Sequence, residues 1–362
     1  MNNNFHLMKP VKPMRVWKVV GLWEKLLSRI NIRQKSNMKS FESINKAYNS
    51  VFQPDKLSIG LVVPIENYSL GPIPTMEDHL KRVQQIEQLG FKALWIRDIP
   101  FHVPSFGDAG QLFDPFTYLG YLAGQTSEIA LGIASIALPL HHPVHVAKSA
   151  ASIDQLSNGR LILGVASGDR PDEYPAMGID YEKRGVLFRE SFDYIRKVQS
   201  SFPTLETNNY GQLKGHMNML PKASGPKIPM LITGNSRQTI DWNVAHADGW
   251  MSYPKDLYNQ KQTIDKWRKL IHESQTYDKP FMQPLYLDLQ EEDDFKPQPI
   301  PLGFKIGVNF LVDYFKRLED IGVNHVALNL RFNAANMDDT LNRLATNVLP
   351  HFHSTKKETV TI

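Results

Sequence analysis

The chain has 362 residues, 42% hydrophobic and 22% charged, the make-up of a folded globular protein and not of a disordered or fibrous one. It contains no cysteine, which excludes disulfides, thiolate zinc sites, cysteine-ligated iron–sulfur clusters and a cysteine nucleophile, so any redox chemistry must come from a bound cofactor. The net charge of +4 is uneven: residues 1–56 hold eleven Lys/Arg against three Asp/Glu, or +8, which leaves −4 on the remainder. A mildly acidic body lacks the basic face that phosphate neutralisation requires, so nucleic acid is not an expected partner.

In chain order, residues 1–56 read as a basic extension. Its segment Arg15–Ile30 alternates bulky apolar residues with bases at helical spacing, which fits either an amphipathic surface helix or a poorly ordered tail, with Met38 as an alternative start. Lys18, Glu24, Lys25 and Arg29 interrupt the apolar runs too often for a membrane span or a secretory signal, and a cytoplasmic location is expected. From Leu57 short apolar runs alternate with segments of helical period, the signature of repeated βα units.

The strands are expected at Leu57–Val63, Ala93–Asp98, Ile129–Leu138, Leu161–Ser167, Pro229–Gly234, Gly249–Tyr253, Met282–Leu289 and His325–Leu330. The helices expected between them include Met76–Leu89, with Thr75 as N-cap and Gly90 at the C-cap, then Pro115–Gln125, one beginning after Pro143, and Tyr181–Ser200. Phe202–Ile228, rich in Gly, Pro, Asn and Lys, reads as an insertion after the fourth unit. Eight βα units predict a closed (β/α)8 barrel over residues 57–352, followed by a tail over 353–362. An open doubly wound sheet fits less well, because Pro64, Ile65 and Glu66 follow the first strand where a Gly-rich turn would be needed.

In such a barrel the site lies at the carboxyl ends of the strands. Small residues there, Ala134 and Ser135, Ser167 and Gly168, and Gly234, leave room for a flat ring to approach the backbone. The run Ile232–Thr239 leads from strand through Gly234, Asn235, Ser236 and Arg237 into a helix, and its amides, the hydroxyls of Ser236 and Thr239 and the Arg237 cation suit a phosphate group. Capping of that helix by Asn235 or Ser236 is the alternative. Ser167, Gly168 and Arg170 on the neighbouring loop add donors to the same anion. Asp98 and His102 follow the second strand as candidate acid or base groups. His141, His142 and His145 have no acidic neighbours in sequence, so they read as capping and packing residues and no metal site is expected. Trp95, Trp242 and Trp250 read as barrel and helix residues.

The segment Gly132–Gly168, above all the run HPVHVAKSAASIDQLSNGRLILGV, together with Asp241–Pro254, closely resembles the bacterial luciferase-like monooxygenases, flavin- and deazaflavin-dependent enzymes on a TIM barrel. The resemblance covers roughly Leu57–Phe352. It implies an FMN phosphate held by Ser167 and Gly168 on one loop and by Asn235, Ser236 and Thr239 on the next, with a non-prolyl cis peptide at Ala134–Ser135 beneath the ring. It further implies oxygenation of a small organic substrate by O2 and reduced FMN, the latter supplied by a separate flavin reductase, and often a homodimer. Ile99 and Pro100 stand where luciferases proper carry a pair of histidines, which argues against aldehyde-oxidising, light-emitting activity. Two alternatives within the fold are a deazaflavin-dependent oxidoreductase and a flavin-binding protein without turnover. Phe202–Ile228 and Asp294–Pro301 are the expected lids.

Overall fold

The computed structural model describes residues 40–68, 73–103 and 113–353. The segment Arg15–Ile30, Met38 and the tail from residue 354 onward lie outside the described residues. Eight parallel strands form the barrel: β1 (Ser58–Val62), β2 (Ala93–Ile96), β3 (Ala130–Ala137), β4 (Leu161–Ala166), β7 (Met230–Thr233), β8 (Gly249–Met251), β9 (Phe281–Leu289) and β12 (His325–Asn329). They pair in chain order, and the ladders β9–β12 and β12–β1 close the ring. All eight runs of the sequence reading are therefore strands; seven are slightly shorter than their apolar runs, and β9 begins one residue earlier, at Phe281. The residues that drop out lie at the ends, where the ladder stops and the chain turns into the loops that carry the site.

Helices follow each strand on the outside: α2 (His79–Gln88), α3 (Pro115–Ala123), α4 (Pro143–Leu156), α5 and α6 (Glu173–Ala176 and Arg184–Val198), α7 (Ile240–His246), α8 (Leu257–Glu273), α9 (Val308–Asp320) and α10 (Met337–Asn347). Pro115 and Pro143 stand at the first helical position, where the missing N–H costs nothing. Asp114 caps α3 by accepting from Thr117 N. The helix expected from Met76 with Thr75 as cap instead begins at His79, because Met76 and Asp78 take left-handed backbone angles (φ 59° and 56°) and the Thr75 hydroxyl accepts from Glu77 N in a local turn.

Two boundaries differ from the sequence reading. The packed chain begins before Leu57: α1 (Lys46–Val51) sits beneath the barrel, and Ile44, Ala47, Tyr48, Val51 and Phe52 are buried in one cluster with the inward-facing Ala93, Trp95, Ala130, Ile162 and Leu231. Asn45 caps α1 and donates to Leu161 O (2.8 Å) and Asp154 Oδ1 (3.0 Å), while Tyr48 donates to Asp248 O (2.7 Å). A barrel whose amino end is lined by Ala and Trp must be sealed against water, and this segment supplies the seal. At the other boundary His353 is buried, accepting at Nε2 from Ile59 N (2.9 Å), so it belongs to the barrel and not to a tail.

The insertion Phe202–Ile228 is also more regular than expected. It carries a hairpin of β5 (Thr204–Asn208) and β6 (Gly211–Lys214) and then lies along α4, where Gln155 donates to Lys222 O and Asp154 accepts from Ser224. A second hairpin, β10 (Gln298–Ile300) and β11 (Gly303–Ile306), occupies part of the Pro-rich segment and extends the sheet by pairing with the outer half of β9. Gly303 is required there, since a Cβ would lie 1.7 Å from Tyr286 O.

Candidate active site

The carboxyl end of the barrel opens into two adjoining lobes. A polar lobe of about 420 Å3 lies at the ends of β3, β4 and β7, and a more apolar lobe of about 350 Å3 lies over the barrel centre. Arg97, Ala134, Ser135, Asp169, Thr233 and Tyr253 line both.

The floor between the lobes is made by the end of β3. The peptide Ala134–Ser135 is cis, and the β3–β4 register shifts between Ile133 and Ile136, so these two small residues leave the ladder at the cavity wall. The close approach of the strands demands glycine opposite: a Cβ on Gly164 would lie 2.2 Å from Ile133 O. Ser135 Oγ is hydrogen-bonded to Thr233 Oγ1, which in turn donates to Met251 Sδ (3.3 Å). These side chains tie the floor together from β3 across to β7 and β8.

Two strand ends form the wall of the polar lobe. After β4, Ser167 is buried and Gly168 adopts φ 73°, a left-handed conformation that glycine takes without steric cost. The Tyr174 hydroxyl, on α5, donates to Ser167 O and holds this turn. After β7, Gly234, Ser236 and Arg237 all have positive φ (56°, 45° and 60°), and the turn is braced by Gln238, which donates to Gly185 O and Ser236 O and accepts from Arg189. The amides of Gly168 and Asn235, one on each turn, donate to no protein acceptor among the described residues. Turns of this kind concentrate partial positive charge into an anion-binding concavity. Arg170, Arg184 and Arg237 line the same lobe, Arg184 lying 3.5 Å over the Tyr181 ring and donating to Tyr181 O (2.7 Å).

Of the residues expected from sequence, Asp98, Ala134, Ser135, Ser167, Gly168, Arg170, Gly234, Asn235, Ser236 and Arg237 all line the polar lobe. Thr239 does not. A turn separates β7 from α7, and Thr239 is the N-cap of that helix, accepting from Trp242 N at 3.2 Å, so neither Asn235 nor Ser236 caps it. The Ser236 hydroxyl is also engaged, donating to Thr233 O (2.8 Å). His102 is exposed and lies outside both lobes.

Asp98 is buried at the edge of the lobe, where its Oδ2 accepts from Ala137 N (3.0 Å) and meets His141 Nε2 at 2.8 Å. Burial opposes a charge on His141, but the hydrogen bond and charge of Asp98 outweigh it and raise the imidazole above its ordinary value. The sequence reading left His141 among packing residues because its partner is 43 positions away. His142 does cap α4, as expected. Trp95 and Trp250 are buried in the barrel, and Trp242 stacks on His246 outside it.

The strand-end candidates expected from sequence do not include Arg97 and Tyr253, nor Asn329 and Arg331 at and just after the end of β12. Arg97, Tyr253 and Asn329 lie in the last two residues of expected strands and Arg331 directly follows one, so the strand-end rule applied to every strand finds them. Arg184 at the start of α6 carried no such signal. The insertion Phe202–Ile228 contributes no lining residue among those described, whereas Pro301 and Leu302 on the β10–β11 hairpin do line the apolar lobe.

The family model for luciferase-like monooxygenases matches residues 57–283, and the chain belongs to that family. An uncharacterized protein of Mycobacterium tuberculosis is 31% identical over 179 residues, 47% of this chain and 61% of its own length. The alkanal monooxygenase beta chain of Photorhabdus luminescens is 29% identical over 179 residues, 46% of this chain and 51% of its own length. The chain thus spans between half and two thirds of the length of these curated relatives. Among solved structures, an F420-dependent secondary alcohol dehydrogenase superposes with a TM-score of 0.68 at 17% identity, covering 82% of this chain and 99% of that one. The oxygenating constituent of 3,6-diketocamphane monooxygenase from Pseudomonas putida, in complex with FMN, superposes with a TM-score of 0.65 at 14% identity, covering 82% and 98%. At these identities the superpositions show the shared barrel.

Proposed function

We propose that the protein is an FMN-dependent monooxygenase acting on a small organic substrate with O2, with reduced FMN supplied by a separate flavin reductase. The observation that carries this reading is the pairing of a polar lobe, built from two left-handed turns and arginines, with an apolar lobe over the Ala134–Ser135 floor. That combination suits a ligand with an anionic tail and a flat head. The residues present fit the group: Ser167, the Gly168 and Asn235 amides and the lobe's arginines would hold the phosphate, and Ala134 and Ser135 would underlie the ring.

Reduced FMN supplies the electrons for oxygen activation when bound. The chain's own residues bind, orient and exclude water. Met251, Met282, Pro284, Leu302, Ala327 and Phe332 give the apolar lobe walls that favour an apolar substrate and exclude bulk water. The Asp98–His141 hydrogen bond lies at the rim of the polar lobe, and the carboxylate favours the charged form of the imidazole, which makes the pair the candidate proton-handling group. No described helix is long and apolar enough to cross a membrane.

A second reading, a deazaflavin-dependent oxidoreductase with a longer anionic tail, is favoured by the likeness of the barrel to F420-dependent enzymes and by a lobe in which Arg97, Arg170, Arg184 and Arg237 stand among Asp98, Asp169 and Glu173. Spectral titration of the purified protein with FMN and with a deazaflavin decides between them. Tighter binding of FMN and an oxygenated product under air support the first reading. Preferential retention of the deazaflavin overturns it, and FMN binding without any product over a broad substrate panel leaves a flavin-holding protein.

A further inference from the structure

We propose that Lys279 is a site of N-acylation, a nucleophilic amine presented to an anionic acyl donor of the acyl-phosphate class in a cavity at the amino end of the barrel. This cavity holds about 230 Å3 and lies at the opposite end from the lobes described above. Glu42, Lys227, Asp248, Asp278 and Lys279 line it, with Tyr48 and His246 on its walls.

The ion pairs around the cavity leave one cation over. Asp248, fully buried, pairs with Arg196 and with Lys227 (2.8 Å); Lys227 also meets Glu42 (2.6 Å); Arg268 pairs with Asp278 (2.5 Å). Four cations therefore face three carboxylates, and Lys279 is the one without a carboxylate within 4.0 Å among the described residues. Its Nζ donates to Val244 O at 2.5 Å. Burial, with Lys227 and Arg196 nearby, lowers the amine to about 8 against the opposing pull of Asp248 and Glu42, so a sizeable fraction is uncharged and nucleophilic near neutral pH.

In the reaction the uncharged amine attacks the acyl carbonyl, and the bond from that carbon to the phosphate oxygen breaks. Phosphate leaves with the electron pair, and the nitrogen gives up one proton to water. The product amide keeps an N–H for Val244 O and leaves three cations facing three carboxylates. Acylation thus removes the unmatched buried charge without removing a hydrogen bond.

The test treats the full chain with acetyl phosphate and follows each lysine by peptide mass spectrometry, with the exposed Lys266 as internal reference. Lys279 is expected to acetylate about tenfold faster or more near pH 7.5, because an exposed lysine near 10.4 is almost wholly protonated there. Its rate should level off above about pH 8, whereas an ordinary lysine amine keeps gaining reactivity to higher pH. Equal or slower modification of Lys279, or parallel pH profiles, overturns the proposal. Lys279→Gln, which removes the charge and keeps an N–H donor, should match or exceed the parent in urea midpoint. A clear drop would show that the ammonium is a structural clamp and would also overturn it.

Discussion

The two ends of the barrel are built from the same strands and solve opposite problems. At the amino end large side chains fill the interior: Trp95 and His325 are fully buried and joined by Trp95 Nε1 donating to His325 Nε2 (2.8 Å), and α1 seals what lies below. His325 Nδ1 therefore carries the proton and donates to Ser58 Oγ (2.6 Å), which donates to Val51 O (2.7 Å) on α1. At the carboxyl end the corresponding positions are Ala, Ser and Gly, the backbone turns left-handed at Gly168, Gly234, Ser236 and Arg237, and space is left open. One end spends its residues on packing and the other on backbone shape, so substitutions at the first should act on stability and those at the second on ligand affinity.

The largest expected effect breaks the closed end. Trp95→Ala removes the biggest side chain there and leaves His325 Nε2 without its donor, so it should cost about 3–5 kcal/mol in chemical denaturation. A loss below about 1 kcal/mol would show that the end is not sealed by packing. At the open end Ser167→Asp places an anion in the polar lobe. It should weaken FMN binding by about tenfold or more in a spectral titration, with an unchanged urea midpoint. Unchanged affinity would reject this wall as the phosphate site.

A third prediction separates the ends by pH. Burial first, and then the positive charge of Lys92 in one case and His353 in the other, depresses His353 to about 4 and His325 to about 3. Their folded values lie below the unfolded value of about 6.5, so the unfolded chain takes up protons that the folded chain refuses. Stability present above about pH 6.5 should be lost as pH falls through that value toward about 4, read as a falling denaturation midpoint. His353→Gln, which offers both an acceptor for Ile59 N and a donor for Gly90 O, should flatten that fall; an equally steep decline would assign it to other groups. The smallest effect sharpens the comparison within the open end. Thr239→Ala should cost about 1 kcal/mol of stability as a lost N-cap and leave the FMN dissociation constant unchanged. A weakened constant would return Thr239 to the ligand site.

The barrel was legible because its signal is local: buried parallel strands need continuous apolar runs such as Ile129–Leu138, and the helices between them repeat at 3.6 residues. The two strand ends that make the polar lobe were legible for a related reason, since small and hydroxylated residues immediately after an apolar run are unusual unless something must fit there. Where the reading failed, the deciding contact was distant or depended on backbone angles. Thr239 looked like its neighbours until the turn at Ser236 and Arg237 placed it on the helix and out of the cavity. Residues 40–56 looked like the rest of a basic extension until the open barrel floor gave Tyr48 and Phe52 something to cover.

The order of elements, the absence of thiol chemistry and the strand ends that face the cavity were set by the sequence alone, because composition and periodicity act over a few residues. The pairing of Asp98 with His141, the unmatched charge on Lys279 and the division of the site into two lobes were decided only by the tertiary structure. Each depends on which distant groups share a low-dielectric space, and chain order does not encode that proximity.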